Sequence, residues 1–315
     1  MKKAAPFFVI VAAVLWGVMG IFVRHLERLG LGTMEIVAIR VAVTALILMV
    51  FLLCYDRKLL KIKLRDLWLF LTNGLISVIL FNFCYYKAMS LTSLSVAAVL
   101  IYTSPIMVMI MSAFLFKERI HAQKVAALCC AFGGLIFVTG GLGDSASISV
   151  PGLGIGLLAA FGYSLYSILG TLMMKRGYHP LTVTAYTFFI ASFVVVPMSD
   201  VPAIGVVLFS NGWMWSYLLA FAMVSAILPF SFYTVGLANM EASKASILAS
   251  LEPVVATLVG VLVLHESISV SAVVGIGMVL VAVVLLNIKF PPVLVRKKDS
   301  ASTVKRSREM AKQHI

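Results

Sequence analysis

The segment ILASLEPVVATLVGVLVLHE (247–266) holds one carboxylate, Glu252, deep in an apolar run and immediately before Pro253. An ionisable group near the centre of a membrane span costs about 2.5–3.5 kcal/mol, which makes it a functional candidate by default. Pro253 removes a backbone donor and frees a carbonyl one turn back. A carboxylate beside exposed backbone polarity can hold a ligand ammonium or carry a proton; hydrogen bonding to a neighbouring helix is the structural alternative. Arg40 also lies inside an apolar run, where it can snorkel outward, bind a carboxylate, or serve structurally by pairing with Glu35 or with helix ends. Trp16, Tyr85, Tyr86, Tyr102, Tyr163, Tyr166 and Tyr233 fall within such runs, several away from the ends where membrane aromatics usually gather. Tyr163 and Tyr166, three apart, share a helix face. Trp16, Asn82, Tyr86, Tyr163, Tyr166, Ser246, Ser250 and Glu252 together form the candidate binding set, an aromatic and hydrogen-bonding cavity.

The elements that must position these residues are membrane helices. Of 315 residues, 62% are hydrophobic and only 12% charged, against about 45–50% apolar in soluble chains, and the mean hydropathy is +1.08. Apolar runs near 20 residues match a bilayer core of about 30 Å. Ten candidate spans follow, at roughly 5–23, 34–54, 67–86, 95–116, 125–142, 152–173, 181–199, 212–234, 244–264 and 270–288. The opening MKKAAPFFVIVAAVLWGVMGIFV has too long an apolar stretch for a signal peptide and no small-residue cleavage site, so it reads as a retained first span.

Charge placement sets the orientation. With a cytoplasmic N-terminus, the inner side receives Lys2, Lys3, Arg57, Lys58, Lys61, Lys63, Arg65, Lys117, Arg119, Lys124, Lys175, Arg176, Lys244 and the whole C-terminal basic stretch. The outer side receives only Arg24, Arg28 and Lys87, which is a strong positive-inside bias with both termini cytoplasmic. The net charge of +13 is accounted for by topology and anionic lipid, with no need of nucleic acid. Residues 290–315 form a basic cytoplasmic tail expected to be disordered.

An internal repeat organises the spans. YYKAMSLTSLSVAAVLIYTSPIMVMIMSAFLFKERI (85–120) aligns without gaps on YTVGLANMEASKASILASLEPVVATLVGVLVLHESI (233–268). Tyr85 meets Tyr233, Pro105 meets Pro253, Glu118 meets Glu266 and Ile120 meets Ile268; a weaker echo pairs AAVLWGV (12–18) with LAAFGYS (158–164). Glu252 is matched by Ser104, so symmetry alone does not call for an acid there. Five spans per copy is an odd number, which turns the second copy over in the membrane. The expected fold is therefore all-α, a polytopic membrane protein with ten transmembrane helices in two inverted five-helix repeats: 1–142, 143–289, then the tail. Such inverted repeats characterise secondary transporters, whose site lies near the midplane where the copies meet. The recurrence of Glu118 and Glu266 at span ends reads as a structural terminus feature.

The A-x-x-W-G start, Arg40 in the second span, YYKAM after the third and the repeated Pro-x12-Glu pattern together resemble the drug/metabolite transporter superfamily, EamA branch. The resemblance covers about residues 5–288. It implies a bacterial inner-membrane permease, an exporter, with a pathway lined by helices 1, 3, 4, 6, 8 and 9; it does not fix the substrate, for which an amino acid or similarly small zwitterion is the leading expectation. Export of drugs or lipophilic cations is the alternative, and a passive channel a more distant one.

Enzyme readings find little footing. GLGD (141–144) matches a motif of intramembrane aspartyl proteases, but Asp56, Asp66, Asp144, Asp200 and Asp299 all lie outside the deep apolar runs. HExxH, GxSxG and P-loop patterns are absent. Cys54, Cys84, Cys129 and Cys130 show no metal-binding or disulfide spacing and read as packing residues. No cofactor or metal is expected. The expected partners are a small-molecule substrate and the lipid bilayer, with protons as the candidate coupling ion and a second copy, forming a homodimer, as a candidate partner.

Overall fold

The computed structural model describes residues 2–92, 94–139, 149–265 and 267–288. The expectations placed on the GLGD motif, on Glu266 and on the tail 290–315 lie outside the described residues. Among the described residues, nine helices are long and apolar enough to span a bilayer: α1 (Ala5–Arg28), α2 (Thr33–Tyr55), α3 (Leu64–Leu91), α4 (Val96–Phe116), α6 (Val150–Lys175), α7 (Pro180–Met198), α8 (Met214–Asn239), α9 (Ala242–Val263) and α10 (Val270–Asn287). The tenth, α5 (Ala122–Val138), is apolar but shorter, about 26 Å at ~1.5 Å per residue. The fold is all-α, ten helices in two inverted repeats of five.

Several helices outrun their apolar cores. α1 continues to Arg28 and α8 to Asn239, because backbone hydrogen bonding persists where polar side chains have already reached water. Where helices stop, the chemistry is local. Ser149 and Ser269 accept the third backbone N–H of α6 and α10, the usual N-cap arrangement. Gly30 and Gly177 close α1 and α6 at φ +89° and +92°, a backbone region open to glycine. Behind each, the next N–H returns to a carbonyl five residues earlier, Leu31 to Leu26 and Tyr178 to Met173.

The repeat extends to the irregularities of the backbone. In the register that lays Tyr85 on Tyr233, the π-helical turn Leu75–Leu80 of α3 coincides with Met223–Ile227 of α8. The interruption of α4 at Tyr102–Thr103 coincides with that of α9 at Ser250–Leu251, each followed by a helix with proline in its first turn. Lys117 and His265, at φ 56° each, end the two helices in the same left-handed way.

Packing obeys the same exchange of halves. α1 packs on α8 and α9, and α6 packs on α3 and α4; α2 pairs with α7, and α5 with α10. Small residues allow the close approaches. A Cβ on Gly134 of α5 would stand 2.7 Å from the Gly275 carbonyl oxygen of α10. The two interrupted helices meet as well, α4 packing against the first segment of α9.

Candidate functional site

A cavity of about 350 Å³ lies between the halves, walled by Trp16, Arg40, Asn82, Tyr85, Tyr86, Tyr102, Tyr163, Phe230 and Glu252. It runs toward the ends of the helices away from the lysine-rich face, past Val23, Thr33 and Met89. A smaller cavity of about 50 Å³ adjoins it and shares Trp16, Arg40, Asn82, Tyr163 and Phe230. Its remaining wall is rich in hydroxyls, from Ser77, Ser104, Ser164, Ser167, Tyr166, Tyr233 and Ser246.

The interruptions of α4 and α9 deliver polar groups here. After Ser250 and Leu251 the second segment of α9 restarts with Glu252 as its first residue. The partial positive charge of that helix start favours a carboxylate there. Among the described residues Glu252 has no hydrogen-bond or ion-pair partner. Arg40 faces the same cavity, and the contact recorded for its guanidinium is Nη1 to the Met19 sulfur at 3.5 Å, while its Nε is buried without a partner. Two opposite charges thus share one cavity without pairing. Glu35 accepts instead from the Asp200 backbone N–H at 3.1 Å, so the expected Arg40–Glu35 pairing is absent among the described contacts.

Below the larger cavity the aromatics form a layer. Trp16 stands edge-on to Phe230 at 5.1 Å and tilted to Tyr233 at 5.4 Å, and Tyr166 meets Phe230 edge-on at 5.1 Å. The phenols find partners, as buried tyrosines need to. Tyr233 bonds Ser167 at 2.7 Å and Tyr166 bonds Thr234 at 3.0 Å. In α3 the π-helical turn presents the Val78 carbonyl to Asn82 Nδ2 at 2.6 Å, leaving the Ser77 hydroxyl buried without a partner.

Of the residues singled out from sequence, Trp16, Asn82 and Tyr163 border both cavities, Tyr86 and Glu252 the larger, and Tyr166 and Ser246 the smaller. Ser250 does not join them; it is buried at the interruption of α9. Arg40 is the residue that sequence reasoning undervalued, and it adds α2 to the helices lining the cavity. Lys124, counted from sequence among the inner-side charges, is buried. It lies between Glu118, which follows α4, and Glu241, which precedes α9. Glu118 does act at a terminus, accepting the Ala242 N–H at 2.9 Å.

Comparison with known proteins gives a consistent result. The model of the EamA-like transporter family matches twice, over residues 3–140 and 150–288. An uncharacterized transporter of Archaeoglobus fulgidus is 24% identical over 280 residues, covering 86% of this chain and 94% of its own. The uncharacterized inner membrane transporter YicL of Salmonella typhimurium is 24% identical over 287 residues, covering 89% and 94%. The uncharacterized transporter YetK of Bacillus subtilis is 21% identical over 263 residues, covering 80% and 77%. A crystal structure of 18% sequence identity superposes with a TM-score of 0.75, covering 91% of this chain and 97% of that one, which bears on the fold alone.

Proposed function

This chain belongs to the EamA-like transporter family, and from that premise we propose that it is a secondary carrier, not an enzyme, exporting a small zwitterion such as an amino acid by alternating access. The halves 1–142 and 143–289 would rock about the cavity, exposing it to each side in turn. Trp16, Asn82, Tyr86, Tyr163, Tyr166, Ser246 and Glu252 are the proposed binding residues, and Arg40 joins them in place of Ser250. The membrane is the bacterial inner membrane, with both termini cytoplasmic on the charge bias already described. Protons are the proposed coupling ion.

One observation carries the zwitterion reading: Arg40 and Glu252 line one cavity unpaired. A substrate carboxylate suits the planar guanidinium, and a substrate ammonium suits the carboxylate. Between them, aromatic walls accept an apolar body. A lipophilic cation, the second reading, would satisfy Glu252 and the rings but would leave the arginine unmatched and opposed. Counterflow in proteoliposomes across zwitterions, organic cations and uncharged analogues, with and without a pH gradient, is the test. Saturable flux of a zwitterion is expected. Saturable flux of cations alone would overturn the substrate class, and unsaturable flux would overturn the carrier mechanism.

A further inference from the structure

Lys124 is a buried cation that the cavity does not use. It is the third residue of α5 and 2% exposed. Its ammonium lies 3.1 Å from Glu241 and 3.6 Å from Glu118, and it donates to Ser243 Oγ at 2.9 Å. A lone ammonium at that depth would be strongly unfavourable, so these partners are required and not incidental. They join the two halves: Lys124 and Glu118 belong to the first, Glu241 and Ser243 to the second. Glu118 also accepts the Ser243 hydroxyl and the Ala242 N–H, supplying an acceptor to the free donors at the start of α9.

What the network holds is the first segment of α9, Ala242–Ala249, which ends at the interruption before Glu252. One turn beyond Ser243 is Ser246, which lines the small serine-walled cavity and bonds the Ser243 carbonyl at 3.0 Å. On the other side, Glu118 and Glu241 belong to the wall of a cleft that opens on the lysine-rich face, with Thr171 and Asn239. The cluster thus ties down the segment separating that cleft from the central cavity.

The repeat does not carry the Lys124 ammonium over to the second copy. In the repeat register Glu118 and Ser243 fall on Glu266 and Ser95, but Lys124 falls on Ala272 and Glu241 on Ser93. A capping carboxylate is repeated in the sequence; the ammonium and its second carboxylate are not. The larger cavity runs toward the opposite face, past Thr33 and Met89.

We infer that Lys124 is the latch of a gate on the lysine-rich face: its charged contacts hold the Ala242–Ala249 segment against the turn between α4 and α5, and they part when that face opens. The inference rests on the alternating-access reading, and the experiment separates the two. In a chain with its four native cysteines replaced, Ser246→Cys reports access to the small cavity. Its modification by a membrane-impermeant thiol reagent is timed from each face of oriented vesicles. Lys124→Met is expected to speed modification from the lysine-rich face at least about fivefold and to slow it from the other. Lys124→Arg should return both rates toward the parent. Glu241→Gln, at a half-exposed site, keeps the fold safe should Lys124→Met fail to assemble, and should give a smaller change of the same sign. If Lys124→Met and Glu241→Gln leave the rates unchanged, the latch is wrong while alternating access stands. If the cysteine reacts from both faces at once and equally in all variants, as in an open pore, both fall.

Discussion

Gly17 of α1 lies against the backbone of α9 at Glu252: a Cβ built on it would stand 2.8 Å from the Glu252 carbonyl oxygen and 2.7 Å from a Val255 methyl. Only a residue without a side chain lets α1 approach the interruption this closely. The placement of the carboxylate and the packing of two helices therefore depend on the same missing atom.

Gly17→Val should destabilise the protein by about 1–3 kcal/mol, the usual range for overpacking, and the folded fraction should transport poorly because α9 is displaced at Glu252. Gly20, one turn further along the same helix, has nothing within 4 Å of its Cβ position. Gly20→Ala should be neutral or slightly stabilising. Melting temperature in detergent and counterflow rate, measured on both variants, check the contrast. Equal effects at the two glycines would refute it.

Arg40→Met and Glu252→Gln should each raise the KM for a transported zwitterion by one to two orders of magnitude, matching about 1.5–3 kcal/mol for a charged hydrogen bond. Because the two groups share one cavity and would hold one substrate, the loss in the double variant should depart from the sum of the single losses. An analogue lacking the ammonium should be insensitive to Glu252→Gln. An unchanged KM in both single variants would remove them from the binding site.

Those two residues also mark how far the sequence could be read. The spans were legible because each needs about 20 apolar residues, and Glu252 stood out because a carboxylate is costly in such a run. Arg40 was visible as a charge, yet linear spacing does not say whether α2 turns it toward lipid or toward the other half. Ser250 shows the converse. Uninterrupted helical spacing would stack it on Ser246, four residues earlier, but the chain breaks at Ser250–Leu251 and buries it elsewhere. The π-helical turns left no signal, since LISVIL and MVSAI read as ordinary apolar helix. Lys124 counts toward the inner-side charge bias, but its burial depends in part on Glu241, more than a hundred residues away.

Tyr233 and Ser167 bond at 2.7 Å within the buried aromatic layer. Removing either partner leaves a buried hydroxyl unsatisfied, so Tyr233→Phe and Ser167→Ala should each lower stability by about 1–3 kcal/mol. Removing both together is expected to recover part of that loss, since neither orphan then remains. Thermal unfolding of the two single variants and the double variant measures the coupling. Strict additivity would show that the hydrogen bond contributes nothing there.

Glu241, in the turn between α8 and α9, gives the protein an acid-sensitive contact. Burial alone would push its carboxyl pKa up, but the hydrogen bonds and charges of Lys244 and Lys124 outweigh that and hold it below its ordinary value of 4.5. A carboxyl whose pKa is depressed on folding contributes stability that is complete above the ordinary value and disappears as pH falls through the depressed one. Glu241→Gln cannot titrate, so the parent should exceed it in melting temperature near pH 7, and the gap should close as pH drops below about 4.5. Glu118 faces the same Lys124 ammonium and is present in both proteins, so its own titration largely cancels from the difference. A gap that widened in acid would mean that Glu241 is strained by its burial, with its two lysines failing to offset the desolvation.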